Sequence, residues 1–414
     1  MAWQVTAYLA LARTLGVLAP VHLRRRLAKG REDPRRWREK LGHTTATRPA
    51  GRLVWLHAVG LGEVMALRGL IQAMAAEDPS LNFLVTSVAR SSAEVLQGNL
   101  PPRTQHQFLP LDAPRFVARF LNQWRPDLAV WSEQDLWPAA VVAADRRGIP
   151  LALVNARMNA AAFQRRRRIQ GLLAQLYPRF RITTAQDAES ARHLADLGAK
   201  DVQVSGSFKA TSPPLGHEPE VLAGLQRKVV GRNLWLLASS HPEDEAVALQ
   251  VQADLWGQDK SWLLVIVPRQ PTRGAEIVEA ARERAMPVTR REAGEDPGGA
   301  VHVADTFGEL GLWYRLCPVT LMGGTFGSVE GHNPWEAAAL GSAILHGPRL
   351  RNFAADYAVL DASGAALEVS ALTLADALDR DLGETAARAQ DLWRGASGSL
   401  APLARRLVAL MAAR

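Results

Sequence analysis

The loop His57-Ala58-Val59-Gly60-Leu61-Gly62-Glu63-Val64 delivers a carboxylate into what reads as the start of a helix. There Glu63 can serve as a general base, or it can simply complement the helix dipole. Two further carboxylates, Glu133 and Asp135, stand in Trp131-Ser132-Glu133-Gln134-Asp135-Leu136-Trp137-Pro138, among aromatic neighbours and just before another helix start. Such groups suit recognition of hydroxyls, and a pair flanking a glycosidic bond would suit hydrolysis. Asn155-Ala156-Arg157 adds a guanidinium fork shaped for phosphate or carboxylate.

The second half offers a different set. Gly331-His332-Asn333-Pro334-Trp335-Glu336 follows an apolar run that ends in Gly323-Gly324. The glycines let backbone approach a ligand, and Pro334 suits a first helical turn, so the amides opening that helix are expected to meet an anion. Glu336 stands three residues after Asn333, the capping-box spacing, so the same residues also read as a capped helix with no ligand. Ser239-Ser240-His241-Pro242 and Pro268-Arg269-Gln270 bring hydroxyls, an imidazole and a guanidinium, a donor set for a nucleotide phosphate or a sugar carboxylate. Neither His241 nor His332 belongs to an HExxH or paired Cys/His pattern, so no metal is expected. No third glycine follows Gly60 and Gly62 at dinucleotide spacing and no GxxxxGK[ST] loop occurs, which argues against a nicotinamide cofactor and a P-loop.

These groups share one position: each follows a short apolar run, where ligands bind in open α/β sheets. The runs Leu53 to Ala58, Asn82 to Ser87, Asp127 to Ser132, Pro150 to Asn155 and Arg181 to Thr184 alternate with helical patterns in the first half. Leu234 to Ser239, Trp262 to Pro268, Ala300 to Ala304, Pro318 to Met322 and Ala343 to His346 do so in the second. Alternation of this kind predicts parallel sheets built from βαβ units, and 414 residues suit two such lobes. The Pro/Gly-rich segment 206–220 reads as the linker between domains over 43–205 and 221–414.

A formal charge of +8 points to an anionic partner. Arg24, Arg25, Arg26, Lys29, Arg31, Arg35, Arg36, Arg38 and Lys40 crowd behind the mostly apolar stretch Val5 to Leu23, which Arg13 interrupts. Residues 1–42 are therefore expected to associate with a membrane surface rather than form a cleaved signal peptide, whose charge would come first; the alternative is an amphipathic helix packed on its own domain. The run Gln164-Arg165-Arg166-Arg167-Arg168 reads as a solvated face or as a contact for anionic head groups. No nucleic-acid-binding module is recognisable, so nucleic acid is not an expected partner. The single cysteine, Cys317, excludes a disulfide within the chain and reads as a buried thiol.

Taken in order, these motifs resemble the 3-deoxy-D-manno-octulosonic acid (Kdo) transferases of lipopolysaccharide assembly, glycosyltransferases of the GT-B type. The likeness runs from Arg31-Glu32-Asp33-Pro34 and Arg38-Glu39-Lys40-Leu41-Gly42 through His57 to Val64 and Leu109-Pro110-Leu111-Asp112. It continues through Glu133 with Leu136-Trp137-Pro138, Asn155-Ala156-Arg157, Val267-Pro268-Arg269, Asp305-Thr306, Gly323-Gly324, Gly331 to Glu336 and Gly347-Pro348. Gly60-Leu61 stands where the family usually has Ser-Val, and Gln270 where it usually has His. The resemblance implies two doubly wound Rossmann-like domains facing a cleft, an N-terminal one for the acceptor and a C-terminal one for the donor. It implies inverting transfer of Kdo from CMP-Kdo to a lipid A precursor, without metal or cofactor, at the cytoplasmic face of the bacterial inner membrane. Glu63 would be the base. Ser239, Ser240, His241, Arg269, Gly323, Gly324, Gly331, Asn333 and Glu336 would hold the donor; His57, Gly62, Glu133, Asp135, Asn155 and Arg157 would meet the acceptor. A transferase with another nucleotide sugar or acceptor, or a non-catalytic lipid- or nucleic-acid-binding protein, is the alternative reading.

Overall fold

The computed structural model describes residues 3–88, 90, 93, 100–211 and 213–412. Met1 and Ala2 of the expected membrane-associating segment, Ser212 of the expected linker and the last two residues of the expected C-terminal domain lie outside the described residues. The chain divides into two compact units, Met1–Ser212 with Ala396–Arg414, and Pro213–Gly395.

Unit 1 is built on a parallel sheet of β1 (Leu53–His57), β2 (Asn82–Ser87), β3 (Thr104–Phe108), β4 (Leu128–Ser132), β5 (Leu151–Ala156), β6 (Phe180–Ala185) and β7 (Val202–Val204). Its strand order is β3-β2-β1-β4-β5-β6-β7, so the winding reverses between β1 and β4. All five residues of β1 are buried, because a parallel strand is covered on both faces and side chains alternate between them. Leu53 and Trp55 enter the layer beneath α1 (Trp3–Ala28), α3 (Pro114–Trp124), α4 (Pro138–Arg146) and α6 (Gln170–Leu176). Val54 and Leu56 enter the opposite layer, beneath α2 (Leu61–Glu77) and α9 (Leu400–Ala412).

That last helix departs from the expected domain 221–414, for Ala396–Arg414 belongs to unit 1. Leu400, Leu403, Leu407 and Met411 follow helical spacing and are buried in the layer shared with α2. Each such burial contributes roughly 1.5 to 3 kcal/mol. Periodicity shows that a helix hides one face, but not on which lobe. The expected linker is likewise ordered on both sides of Ser212: Phe208, Ala210 and Thr211 are buried in a short turn of unit 1, and the Leu215 carbonyl accepts from Arg315 Nη1 at 2.7 Å in unit 2.

In unit 2 the strands are β8 (Asn233–Ser240), β9 (Trp262–Pro268), β10 (Val288–Arg290), β11 (Val301–Val303), β12 (Val319–Met322), β13 (Ala343–His346) and β14 (Ala366–Glu368). They lie parallel in the order β10-β11-β9-β8-β12-β13-β14, and the winding reverses between β8 and β12. Cys317 is buried, and burial pushes its thiol well above the ordinary range.

The 26-residue α1 is long and apolar enough by composition to cross a membrane. It lies on unit 1 instead: Val5 and Leu9 join the core, and Tyr8 Oη donates to Asp112 Oδ2 at 2.8 Å. Asp112 also accepts the Ala139 and Ala140 amides at 3.0 and 2.9 Å, so one carboxylate fastens α1 to the N-terminus of α4. Part of the basic run behind α1 is paired within the unit. Buried Glu32 accepts from Arg26 at 2.5 Å and Lys40 at 2.6 Å, and Glu39 holds Arg36 at 2.9 Å. These three cations are therefore not free to meet a membrane, because each already satisfies a carboxylate.

Candidate functional site

The register pairs His57 with Thr86 on one side and Trp131 on the other, so the loops after β1, β2 and β4 leave the sheet at one level. Glu63 occupies the first turn of α2, where its carboxylate accepts the Val59 amide at 2.9 Å and the Gly60 amide at 3.2 Å. Gly62, beside it, is exposed with open space around it. Across the reversal point, Glu133 follows β4 with φ 65°, a left-handed conformation that costs a non-glycine residue energy and concentrates at working sites. Burial, and then the charge of Glu63, push its carboxyl up to about 7, against the pull of Lys209, Arg157 and a 3.3 Å hydrogen bond from Gln186 Nε2. Glu63 and Glu133 thus form an interacting carboxylate pair with two cations nearby.

The other expected acceptor residues serve that pair in different ways. Asn155, also left-handed at φ 55°, accepts the Phe208 amide at 2.9 Å through Oδ1 and so fastens the turn that carries Lys209. Its buried Nδ2 has no partner among the described residues. Asp135 bonds Arg166 at 3.2 Å and is half exposed. His57 is buried and accepts from Trp137 Nε1 at 2.8 Å through Nε2. An indole N–H only donates, so the imidazole proton sits on Nδ1, facing Thr86 O and Oγ1 at 3.1 and 3.0 Å. Through Trp137, His57 holds the Glu133–Trp137 loop from beneath.

Burial pushes His57 down to about 4, so the folded ring refuses a proton that the unfolded chain accepts. Its stabilising contribution is complete above pH 6.5 and is lost as pH falls through 4. In thermal unfolding followed across that window, His57→Gln is expected to lose roughly 2 to 3 kcal/mol less stability than the wild type. Equal losses would show that the ring is open to water.

In unit 2 the corresponding edge gathers Ser239, left-handed at φ 56°, and Ser240 at the end of β8, His241 after it, Arg269 after β9 and the glycine loop after β12. A Cβ on Gly323 would overlap the Ser239 carbonyl, and Gly324 has φ 73°, so close packing requires the first glycine and backbone conformation the second. Asp244, in the first turn of α7 (Pro242–Gln258), holds that loop in place. Its buried carboxylate accepts the amides of His241 at 3.0 Å, Gly324 at 2.6 Å and Phe326 at 3.0 Å. Gly331, at φ 97°, closes the loop by donating to Gly324 O at 2.8 Å.

His241 and His332 stack with ring centroids 5.1 Å apart and share an Nε2 to Nε2 hydrogen bond of 2.9 Å. Burial, then His241 and Arg269, push His332 down to about 4. Arg269 is exposed at the strand end, free to meet an anion. The hydroxyl of Ser240, by contrast, is committed to Glu245 at 2.7 Å, which also takes Arg273 at 2.7 Å. The expected helix after Pro334 is the five-residue α8 (Trp335–Ala339), whose Trp335 amide is already accepted by Asn333 Oδ1 at 3.2 Å. Asn333 Nδ2 in turn reaches Glu336 Oε1 at 3.4 Å. The expected anion site on the opening amides is therefore reduced to side chains, since a short capped helix supplies little free dipole. Among the described residues no cluster of three or more His, Cys, Asp or Glu is placed to hold a metal.

Lys209 and Gln186 were absent from the sequence reading, and Asp244 had no part there beyond being one of the acids after His241. Lys209 lies in a stretch taken for a linker, Gln186 follows a strand without a motif around it, and Asp244 passes for one more acid in a helix's first turn.

Set beside known proteins, residues 35–212 match the family model described as 3-deoxy-D-manno-octulosonic-acid transferase (kdotransferase). A probable mitochondrial 3-deoxy-D-manno-octulosonic acid transferase of Arabidopsis thaliana is 33% identical over 357 residues, covering 84% of this chain and 80% of the relative. A 3-deoxy-D-manno-octulosonic acid transferase of Rickettsia bellii is 31% identical, covering 78% of this chain and 77% of its own. Among solved structures, a UDP-GlcNAc 2-epimerase from Neisseria meningitidis bound to UDP-GlcNAc covers 88% of this chain and 100% of its own, at 12% identity and TM-score 0.54. At that identity the likeness is one of fold.

Proposed function

The chain belongs to the Kdo transferase family and is a glycosyltransferase, and from that premise we propose that it moves Kdo from CMP-Kdo, with inversion, to a hydroxyl of a lipid A precursor at the cytoplasmic face of the bacterial inner membrane. The observation that carries the reading is the Glu63–Glu133 pair at the reversal point of unit 1, flanked by Arg157 and Lys209. Glu63 takes the proton of the acceptor hydroxyl as its oxygen attacks the anomeric carbon. The bond from that carbon to the CMP phosphate oxygen breaks, and its electron pair leaves with CMP. Attack opposite the departing phosphate inverts the configuration. Arg157 and Lys209 supply positive charge for an anionic acceptor, and Asn155 keeps Lys209 in place. In unit 2, Arg269 meets the phosphate or the Kdo carboxylate, while His241, Asn333, Glu336 and the Gly323–Gly331 loop surround the nucleotide. Ser239 and Ser240 shape the strand end beneath it.

The test supplies freshly generated CMP-Kdo and a tetraacyl lipid A precursor, and scores CMP release together with the mass of the lipid. Equal release of CMP and gain of Kdo in the lipid is expected. Absence of transfer by protein that binds CMP would overturn the proposed acceptor.

Glu133 gives this reading a pH signature. Its folded carboxyl titrates above the unfolded value, so its stabilising contribution is complete below pH 4.5 and is lost as pH rises through about 7. At pH 8, Glu133→Gln is expected to be about 1 to 3 kcal/mol more stable than the wild type in denaturant unfolding, and at pH 4 about equal. A variant less stable at pH 8 would mean that the carboxylate is well solvated.

A further inference from the structure

We propose that the turn between α5 (Ala160–Arg167) and α6 is a second contact with an anionic membrane surface, and that it lays α1 flat along the headgroups. The proposal rests on the membrane reading above and assigns to it residues and an orientation. Arg165, Arg167 and Arg168 line a shallow hollow of about 490 Å³ with Gln164 and Gln170. Arg166 turns away to Asp135, whereas those three form no ion pair among the described residues. Ile169, beside them, is 48% exposed, a large apolar side chain set among guanidiniums, of which that of Arg167 lies over the Phe163 ring.

This turn adjoins one end of α1. Gln175 Nε2 donates to Gln4 Oε1 at 2.6 Å, and Gly171, at the start of α6, leaves room for the Gln4 side chain. At the other end of α1 stand Arg24, Arg25 and Arg31, all exposed. Between the ends Leu11, Leu15 and Leu18 follow i, i+4, i+7 spacing and are 58 to 65% exposed on one face of the helix. A helix of this length spans about 39 Å. An outward apolar stripe with cations at both ends matches a helix lying in the membrane interface, its apolar face in the acyl boundary and its cations among phosphates. A spanning helix would place Arg13 in hydrocarbon and pull Val5, Leu9 and Leu23 out of the interior of unit 1.

The experiment measures binding of the full chain to vesicles of phosphatidylcholine with about one-third phosphatidylglycerol, against phosphatidylcholine alone. Arg165→Gln/Arg167→Gln/Arg168→Gln is expected to bind the anionic vesicles at least about tenfold more weakly than the wild type, with unchanged thermal unfolding. Binding equal to the wild type overturns the proposal. An environment-sensitive dye on Ile169→Cys, and separately on Leu18→Cys, locates the contact, since Cys317 is buried and does not compete. Both dyes are expected to shift to the blue on anionic vesicles. A shift at Leu18 alone overturns the second contact and leaves the membrane reading standing. No shift at either position, with no vesicle binding by the wild type, removes the membrane reading itself.

Discussion

Replacing Glu63 by Gln is expected to lower the rate of transfer about a thousandfold while leaving CMP affinity within about twofold, because a positioned general base is worth 10² to 10⁴. The substitution is informative because Glu63 also caps α2. Gln keeps an oxygen that can accept from Val59 and Gly60, so the fold is expected to lose less than about 1 kcal/mol, whereas Ala would lose the cap as well. Single-turnover transfer and CMP titration on the same preparation separate chemistry from binding. If Glu63→Gln kept more than a tenth of the wild-type rate, the base would have to be sought in its neighbour Glu133, whose carboxyl titrates near neutrality.

Asp244→Ala is expected to be the most damaging change in unit 2. Three backbone amides, from His241, Gly324 and Phe326, converge on this one carboxylate, and removing it strands all three. An unsatisfied buried donor costs about 1 to 3 kcal/mol, so a loss of about 3 to 5 kcal/mol is expected after local relaxation, together with at least a tenfold weaker hold on CMP. Asp244→Asn is expected to fall between, since its amide nitrogen would face a backbone N–H where an oxygen now accepts. Chemical denaturation and calorimetric CMP titration read the two effects. Native stability and affinity in Asp244→Ala would show that the loop is held by its glycine geometry alone.

The strands that the sequence revealed and those it hid divide by position in the sheet. Among the described residues ten strands lie inside the sheets, mostly buried on both faces as Leu53–His57 and Trp262–Pro268 are, and all ten were legible. The hidden ones are β3, β7, β10 and β14, which are the four edges of the two sheets. Thr104-Gln105-His106-Gln107-Phe108 and Val288-Thr289-Arg290 are short and polar because an edge needs cover on fewer sides, and so they leave no hydrophobic signature. The site divides in a similar way. Glu63, Glu133, Asn155 and Arg269 were visible because parallel sheets present ligands to the residues after each strand. Lys209 was not, since its place depends on a hydrogen bond from Phe208 to Asn155, 53 positions earlier in the chain. Asp244 was hidden for the same reason: its partners at Gly324 and Phe326 are brought to it by a sheet crossing that no local pattern announces.

The return of α9 to unit 1 makes Pro213–Gly395 an insertion within a discontinuous unit. On a ribosome this inverts the usual order of maturation. Unit 2 is complete in sequence as soon as Gly395 has emerged, but the layer over α2 lacks Leu400, Leu403, Leu407 and Met411 until α9 has followed it. The half of the protein made first is therefore finished last, and a nascent chain stalled short of α9 would expose the apolar wall of its N-terminal unit to chaperones and proteases while its C-terminal unit was already folded.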